Sequence, residues 1–426
     1  MVGGGGREHA LAWKLAQSPR ITRLYAAPGN PGIASVAQCL SISADALADL
    51  AAFASRERID LTVVGPEQPL ALGLVDLFTE RGLPVFGPTR AAAQLEASKV
   101  FAKALFARYR IPTARHAAFS DAAKARAFAR ELGGRAVVKA DGLTAGKGAV
   151  VCPDLETAGR AIDDMLERRV FGDAGARVVV EELLEGEELS FFVLTDGDRV
   201  CPLAAAQDHK AVFDGDRGPN TGGMGAYSPA PVLDEALAAE IVERVIRPTV
   251  RAMATEGRPY RGVLYAGLML TREGPQVLEF NARFGDPETQ VLVPRLAGDL
   301  LTLCRAVAEG RDLPETVPWR PETAVSVVLA SGGYPGAYAT GHPIAGVEAA
   351  GARPGVTVFH AGTALRDGRL VTSGGRVLAV TALGRDTRTA IAAAYDAVGD
   401  IRFEGMHFRR DIGRRALAYL GGGPIA

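Results

Sequence analysis

Glu279 and Asn281 are oxygen-bearing residues two positions apart in residues 276–281, whose apolar neighbours predict a strand. Because side chains alternate along a strand, these two are expected to point the same way, about 7 Å apart. Carboxylate and amide oxygens suit a hard cation such as Mg²⁺, which usually takes one or two protein oxygens and completes its shell with water and phosphate oxygens. Arg283 follows closely. The spacing predicts a magnesium-nucleotide site; the alternative is a strand end whose polar residues face water.

Two lysines accompany a glycine-rich loop. Residues 135–140 and 149–152 read as strands, and the sequence between them is DGLTAGKG. The loop lacks the glycine spacing and the following Ser or Thr of a P-loop, and it leads into a strand rather than a helix. Lys139 on the first strand and Lys147 in the loop therefore predict a hairpin that folds over phosphates. The alternative for each lysine is a solvated charge.

An acidic segment, RVVVEELLEGEE at 177–188, follows the hairpin. In a nucleotide cleft, a strand end of this kind can contact an adenine edge, its leucines can cover the base, and a carboxylate can bind the ribose. The alternative is a solvated acidic turn.

The segment 207–227 shows no periodicity and is predicted to be a long loop. Asp208 and Lys210 give it a polar start, and its glycines let the backbone approach a ligand closely. His209 receives no catalytic role, because a structural one is at least as well supported by the sequence.

Short apolar runs alternate with helical patterns over residues 1–88, which predicts a Rossmann-like parallel sheet. Ligands of such sheets lie beyond the carboxyl ends of the strands, so the turns at 27–32, 65–69 and 87–89 are candidate substrate contacts. Only Met1 and Val2 precede the four glycines at 3–6, so the usual opening strand is expected to be missing. The helix after the glycines could bind a phosphate at its amino end; the alternative is a disordered tail.

Composition limits the class of protein. The 426 residues are 48% apolar, which predicts about three domains with buried cores. A net charge of -1 gives no basic footprint for nucleic acid or a membrane surface, and no apolar run is long enough to span a membrane. The four cysteines are scattered, which argues against a disulfide framework or a zinc site. We expect a cytoplasmic protein that binds small molecules.

These motifs occur together in one family. The sequence resembles the phosphoribosylamine-glycine ligases, which are ATP-grasp enzymes, over essentially its whole length; the motifs that carry the resemblance are GGREHALAWK at 5, APGNPG at 27, VGPEQPL at 64, KADGLTAGKG at 139, QDHK at 207, GPNTGGMGAYSPAP at 218, EFNARFGDPETQ at 279 and GGYPG at 332. The resemblance implies an α/β and α+β protein with a Rossmann-like domain (1–88), an ATP-grasp domain (89–315) whose mobile lid covers about 112–182, and an α+β C-terminal domain (320–426).

The resemblance also implies the reaction: glycine and 5-phosphoribosylamine are joined with ATP through a glycyl phosphate, giving glycinamide ribonucleotide for purine biosynthesis. A monomer is expected. Metal binding of Mg²⁺ or Mn²⁺ is implied at Glu279 and Asn281, and catalytic roles at Arg283 and Lys147. The implied ATP contacts are Lys99, Lys139, Lys147, Glu181, Leu184 and Glu188. The implied substrate contacts are Gly5, Gly6, Asn30, Glu67, Asp208, Lys210, Gly222, Gly223, Gly225 and Arg283.

Three other functions were compatible with parts of the sequence. Another ATP-grasp ligase would activate a different carboxylate, but the glycine motif at 218–231 argues against it. A nucleotide sensor that lost turnover would be expected to have a broken metal pair or missing phosphate lysines. A dinucleotide-dependent dehydrogenase would need a strand before its glycine loop and the G-x-G-x-x-G register.

Overall fold

A computed structural model describes residues 1–144 and 146–421 of the chain, which begins with short parallel strands. The strands of this first region are β1 (Val2–Gly3), β2 (Tyr25–Pro28), β3 (Gln38–Cys39), β4 (Thr62–Val63) and β5 (Val85–Phe86). The helices between them are α1 (Gly6–Leu15), α2 (Leu47–Arg56), α3 (Glu67–Leu72) and α4 (Leu74–Glu80). Strands β1, β2 and β3 form one parallel sheet and β4 and β5 another pair.

The opening strand is present, so the expectation that it is missing was wrong. Val2 pairs with Ala27 in parallel register and also bridges to Val64. The amino group of Met1 donates a hydrogen bond to the carbonyl of Tyr25 at 2.8 Å. Two residues are enough for a strand here because the neighbouring strands on both sides supply its hydrogen-bond partners.

The central region contains two antiparallel sheets of four strands each, in the orders β6-β9-β7-β8 and β11-β10-β16-β17. Its strands are β6 (His116–Phe119), β7 (Ala136–Ala140), β8 (Ala149–Cys152), β9 (Val178–Glu182), β10 (Glu187–Thr195), β11 (Val200–Pro202), β12 (Gln207–Asp208), β13 (Ala211–Phe213), β14 (Arg217–Asn220), β15 (Gly225–Ser228), β16 (Gly262–Thr271) and β17 (Gly274–Asn281). Its helices are α5 (Arg90–Ala97), α6 (Lys99–Tyr109), α7 (Ala122–Glu131), α8 (Leu155–Ile162), α9 (Glu235–Ile241), α10 (Arg247–Thr255), α11 (Thr289–Leu292) and α12 (Leu300–Glu309).

The last region is built on β18 (Thr323–Ala330), β19 (Val356–His360), β20 (Thr363–Arg366), β21 (Arg369–Thr372) and β22 (Arg376–Gly384), with helices α13 (Val347–Gly351), α14 (Thr387–Val398) and α15 (Arg414–Leu420). Asp386 caps the amino end of helix α14, and its side chain accepts a hydrogen bond from the Thr389 amide. Its buried alanines form a stripe against the sheet, which is the expected packing of an amphipathic helix; they are Ala390, Ala394 and Ala397.

The segment 207–227 is not the long loop that its sequence predicted. It forms β12 to β15, and two of these strands join the C-terminal sheet in the order β12-β15-β18-β22-β19. Gly225 pairs with Val327, and a Cβ at Gly225 would lie 2.6 Å from the Ser326 carbonyl oxygen. Periodicity does not show β15 because its partner β18 lies about a hundred residues further along the chain. Among the described residues, no helix is long and apolar enough to cross a membrane.

Candidate active site

A cavity of about 340 Å³ lies where the three regions meet. Charged groups from distant parts of the chain surround it. Of the residues predicted from the sequence, the cavity lining includes Glu67, Lys99, Lys139, Glu181, Leu184, Glu188, Asp208, Lys210, Gly222, Glu279, Asn281 and Arg283. Apolar side chains of Val137, Leu183 and Met269 form part of the same wall.

Strand β17 presents Glu279 and Asn281 to the cavity on one face, as alternation predicts. No described residue donates a hydrogen bond to the Glu279 carboxylate. Burial raises the pKa of this carboxyl, but the ammonium groups of Lys139 and Lys99 outweigh burial and hold the pKa below its usual range. The site therefore offers an ionised carboxylate beside an amide oxygen, which fits a divalent cation that takes its remaining ligands from phosphate and water.

The part of the chain that the structure describes offers a cation no larger cage of protein ligands. Within residues 1–144 and 146–421, no group of three or more His, Cys, Asp or Glu side chains is arranged to bind a metal ion. The amide oxygen of Asn281 accepts a hydrogen bond from Nη2 of Arg283 at 3.0 Å. A metal ion at this position would therefore share the amide oxygen of Asn281 with the Arg283 guanidinium or displace the guanidinium from it.

Arg283 is held between two carboxylates. Its Nε lies 3.2 Å from Glu67 and its Nη2 lies 2.9 Å from Glu96. Burial raises the pKa of Glu67, but Arg283 and then Arg7 outweigh it and lower this pKa to about 2. Burial dominates at Glu96, so the pKa of that carboxyl is raised. Glu96 is not among the residues predicted from the sequence, because nothing in its own segment distinguishes it from a surface residue of a helix.

Lys139 is part of a buried charge network. Its ammonium donates hydrogen bonds to Glu181 at 3.1 Å and to the Leu278 carbonyl at 2.8 Å. Lys103, which the sequence analysis did not select, binds the same carboxylate at 2.9 Å. Lys99 lies one helical turn earlier on α6 and contacts the Gly142 carbonyl of the hairpin at 3.1 Å. The i, i+4 spacing of Lys99 and Lys103 places both on one face of α6, and this pattern in the sequence could have indicated that Lys103 also faces the site.

We expect Lys103→Met to lower the free energy of unfolding by about 3 kcal/mol, because Glu181 is 2% exposed and would keep only Lys139 as a cation. Urea unfolding measures the difference. Lys124→Met, at an exposed position on α7, is the matched control and should change stability by less than about 0.5 kcal/mol. Equal stability of the two variants would show that the ion pair between Lys103 and Glu181 contributes nothing to the free energy of unfolding.

Acidic and basic groups also meet at the other wall. Lys210 donates to Asp208 at 2.7 Å, and although burial lowers the pKa of Lys210, Asp208 raises it well above its usual value. Glu288 was missed by the sequence analysis; its carboxylate accepts hydrogen bonds from Tyr265 at 2.7 Å and Ser190 at 3.3 Å. Burial raises the pKa of Glu288, and Asp208 raises it further.

Two amides at the amino end of α1 already have carboxylate partners. The Gly5 amide donates to the Glu8 carboxylate at 2.6 Å, and the Arg7 amide donates to Asp286 at 3.4 Å. Gly6 begins the helix, and a Cβ there would lie 2.8 Å from the Gln290 side chain. Gly5 and Gly6 therefore act in packing and capping here, and the cavity lining does not include them.

Four other predicted contacts also lie outside the cavity lining. Asn30 uses all its polar atoms: its amide nitrogen donates to the Gly4 and His360 carbonyls, and its oxygen accepts from the Ile33 amide. The other three lie in packing or surface positions: Gly223 is packed against Pro287, Gly225 pairs in β15, and the exposed Lys147 donates to the Pro335 carbonyl at 2.9 Å.

His209 is buried at 1% exposure, and neither ring nitrogen has a hydrogen-bond partner within the described part of the chain. Its ring packs edge-on against Tyr227, and burial, followed by the nearby Arg415, lowers its pKa to about 4. The neutral ring lies outside the cavity lining, so the geometry supports no catalytic role for it.

Comparison with known proteins gives one consistent family. Models of the phosphoribosylglycinamide synthetase N domain, ATP-grasp (A) domain and C domain match residues 1–96, 97–289 and 324–415. The chain is 54% identical to a phosphoribosylamine–glycine ligase of Pseudomonas aeruginosa and 52% identical to one of Salmonella typhimurium, in each case over 98% of both chains.

Solved structures agree. A crystal structure of the phosphoribosylamine–glycine ligase of Thermotoga maritima superposes with a TM-score of 0.84 at 32% identity and covers 96% of this chain and 98% of that one. A biotin carboxylase from Campylobacter jejuni gives a TM-score of 0.73 at 16% identity over 96% of this chain and 92% of that one. At that identity the second likeness shows the fold alone.

Proposed function

Because the chain belongs to the phosphoribosylamine–glycine ligase family of ATP-grasp enzymes, we propose that its cavity joins glycine to 5-phosphoribosylamine. ATP is consumed, and the products are glycinamide ribonucleotide, ADP and phosphate. A carboxylate is a poor electrophile, so the γ-phosphoryl group first converts glycine to glycyl phosphate. The amine of phosphoribosylamine then attacks the carbonyl carbon, and phosphate leaves. This is a step of purine biosynthesis.

The observation that supports this reaction is the grouping of Glu279, Asn281 and Arg283 on one cavity wall. ATP-grasp enzymes use ATP with a divalent metal, and Glu279 and Asn281 would hold Mg²⁺ or Mn²⁺, which would neutralise charge on the ATP phosphates. Arg283, kept in place by Glu67 and Glu96, faces the same space and offsets charge on the transferring group or binds the glycine carboxylate. Catalysis then consists mainly of positioning and charge neutralisation.

The nucleotide is proposed to lie between the lid and the rest of the ATP-grasp domain. Lys99 and Lys139 face its phosphates, while Leu184 covers the base and Glu188 binds the ribose. Glu181 fixes the orientation of Lys139 through their hydrogen bond and so acts on the nucleotide indirectly. We place the three domains at 1–88, 89–315 and 320–426. The lid, at about 112–182, is part of the second domain.

Phosphoribosylamine is proposed to lie between the first domain and the segment of Asp208 and Lys210. Glu67, Asp208, Lys210 and Gly222 line the cavity there. The remaining predicted contacts, Gly5, Gly6, Asn30, Gly223 and Gly225, support the walls of this region by packing. We further propose that the enzyme works as a monomer in the cytoplasm.

The test of this function is ADP release by the purified protein with Mg-ATP and glycine, with and without phosphoribosylamine generated in place from ribose 5-phosphate and ammonia. ADP release that requires both co-substrates, with the glycyl amide as product, is the expected result. ADP release that depends on another carboxylate would replace the proposal with a different ATP-grasp ligase. Binding of Mg-ATP without any turnover would indicate a nucleotide sensor.

Lys147→Ala is expected to raise the KM for ATP about 10-fold while the KM for glycine changes little, because the lysine is proposed to reach the ATP phosphates when the lid closes. Its ammonium now contacts a carbonyl of an exposed turn, so stability should not change. Initial rates at varied ATP measure the effect, with Lys124→Ala as control. An unchanged ATP dependence would return Lys147 to the solvated-charge interpretation.

A further inference from the structure

Arg376, the first residue of β22, reaches from the C-terminal domain into the wall of the cavity. A single nitrogen of its guanidinium, Nη1, holds the residue in place. It donates to the carbonyl oxygens of Gly222 at 2.5 Å, Gly223 at 3.4 Å and Asp286 at 2.8 Å. The same nitrogen lies 3.3 Å from the Asp286 carboxylate. All the polar contacts that anchor this arginine are therefore on one side of the group.

The opposite edge of the guanidinium is unused. Nε and Nη2 of Arg376 have no hydrogen-bond partner within residues 1–144 and 146–421, and 22% of the side chain remains exposed. These two nitrogens form the planar fork that binds a phosphate or carboxylate through two parallel hydrogen bonds. An arginine with one edge anchored and the other open to a cavity is preorganised to bind an anion.

The acid beside Arg376 does not occupy that fork. One oxygen of Asp286 accepts a hydrogen bond from the Gln290 side chain at 2.8 Å, and the other accepts from the Arg7 amide at 3.4 Å. Arg7 also lines the cavity. The Arg7 guanidinium is itself paired with Glu8 at 2.6 Å, so the free fork of Arg376 is the group that can bind a phosphate at this wall.

The peptide of Gly222 is held by the C-terminal domain from both sides. Its carbonyl accepts from Arg376, and its N–H donates to the Tyr334 hydroxyl at 3.0 Å. A Cβ at Gly222 would lie 2.9 Å from Cζ of Arg376, so only glycine allows the guanidinium to lie this close to the backbone. Tyr334 belongs to the GGYPG turn, whose function its sequence alone did not indicate.

We propose that Arg376 binds the phosphate group of phosphoribosylamine, so that the C-terminal domain completes the substrate site. This inference rests on the proposed function. It favours phosphoribosylamine over ATP because the anchors of Arg376 are Gly222, Gly223 and Asp286, whereas the nucleotide lysines are on α6 and β7. Tyr334 is a positioning residue that acts through Gly222.

The test is the steady-state kinetics of Arg376→Met and Arg376→Lys. We expect the methionine variant to raise the KM for phosphoribosylamine about 10- to 100-fold, the loss expected for hydrogen bonds to a charged group. The KM values for ATP and glycine and the kcat at saturation should change less than about 3-fold. The lysine variant should recover part of the loss, because it restores the charge without the fork.

Arg369→Met is the matched control, since Arg369 is an exposed arginine of the same domain. Tyr334→Phe should raise the KM for phosphoribosylamine only a few-fold. If Arg376→Met does not fold, Gly222→Ala, which displaces the guanidinium, should give the same selective loss. A rise confined to the KM for glycine or to the KM for ATP would assign the fork to a carboxylate or to the nucleotide and overturn the inference. So would a fall in kcat with unchanged KM values.

The failure of this inference can be told from the failure of the proposed function. Normal wild-type turnover of phosphoribosylamine with an unchanged KM in the Arg376 variants would overturn the inference alone. No wild-type turnover of phosphoribosylamine, with intact Mg-ATP binding, would overturn both. Calorimetric titration with ribose 5-phosphate gives a second readout: wild type should bind it, and Arg376→Met should bind it at least about 10-fold more weakly.

Discussion

Glu279→Gln is expected to reduce ADP release at least about 1,000-fold while the protein stays folded. The substitution keeps the size of the side chain and removes the negative charge that would hold the divalent cation. Fold stability should change little, because no described residue donates a hydrogen bond to this carboxylate. The lysines around Glu279 lower its pKa, so the wild-type group is ionised at neutral pH, and the glutamine variant removes a full charge.

ADP release at saturating glycine and phosphoribosylamine, over a range of Mg²⁺ concentrations, measures this effect. Glu273→Gln is the matched control, because Glu273 is an exposed residue in the turn that precedes β17. Thermal unfolding of both variants should match that of the wild type. A folded Glu279→Gln variant that keeps more than a tenth of the wild-type rate would remove Glu279 from the proposed metal site.

Arg283→Met is expected to abolish turnover and also to lower the free energy of unfolding by about 3 kcal/mol at neutral pH. The variant leaves Glu67 and Glu96 close together without the guanidinium that separates them. In the wild type, the pKa of Glu67 is held at about 2, so its pairing stabilises the fold above the ordinary carboxyl pKa, and this contribution is lost as the pH falls towards 2. Arg283→Lys keeps the charge and should be destabilised less.

The way in which the stability difference changes with pH shows whether lost charge pairing or lost packing destabilises Arg283→Met. Without Arg283, burial raises the pKa of both carboxyls, so they oppose folding when ionised and oppose it less once protonated. The stability difference between wild type and Arg283→Met should therefore be largest near neutral pH and smaller at about pH 5. Urea unfolding at both pH values measures it, with Arg272→Met, at an exposed position of the β16–β17 turn, as control. A difference that is independent of pH would show that lost packing, not charge, is responsible.

The sequence predicted most successfully where the signal is local. Strand β17 carries Glu279 and Asn281 to the cavity because the period of a strand puts residues two apart on one face. The hairpin of β7 and β8 was also predicted, because a glycine-rich turn between two apolar runs defines its own partner; Lys139 pairs with Ala149 across it.

Predictions failed where the partner is far away in the chain. Strand β15, within 207–227, pairs with β18 of the C-terminal domain, so periodicity within the segment could not show it. At the amino end of α1, where a phosphate site stays a prediction, the amides of Gly5 and Arg7 donate to Glu8 and Asp286. The substrate contact of Asn30 stays a prediction; in the structure its side-chain amide donates to the His360 carbonyl.

The sequence by itself determined the family, the order of the three regions and the residue types of the proposed metal pair, because these depend on motifs and on short-range periodicity. Only the tertiary structure decided which charges meet. Glu96 reaches Arg283, Lys103 reaches Glu181, and Arg376 reaches Gly222. Such pairs form because a buried charge needs a partner in space, and the partner comes from whatever element the packing brings near, at a sequence distance that no local pattern records.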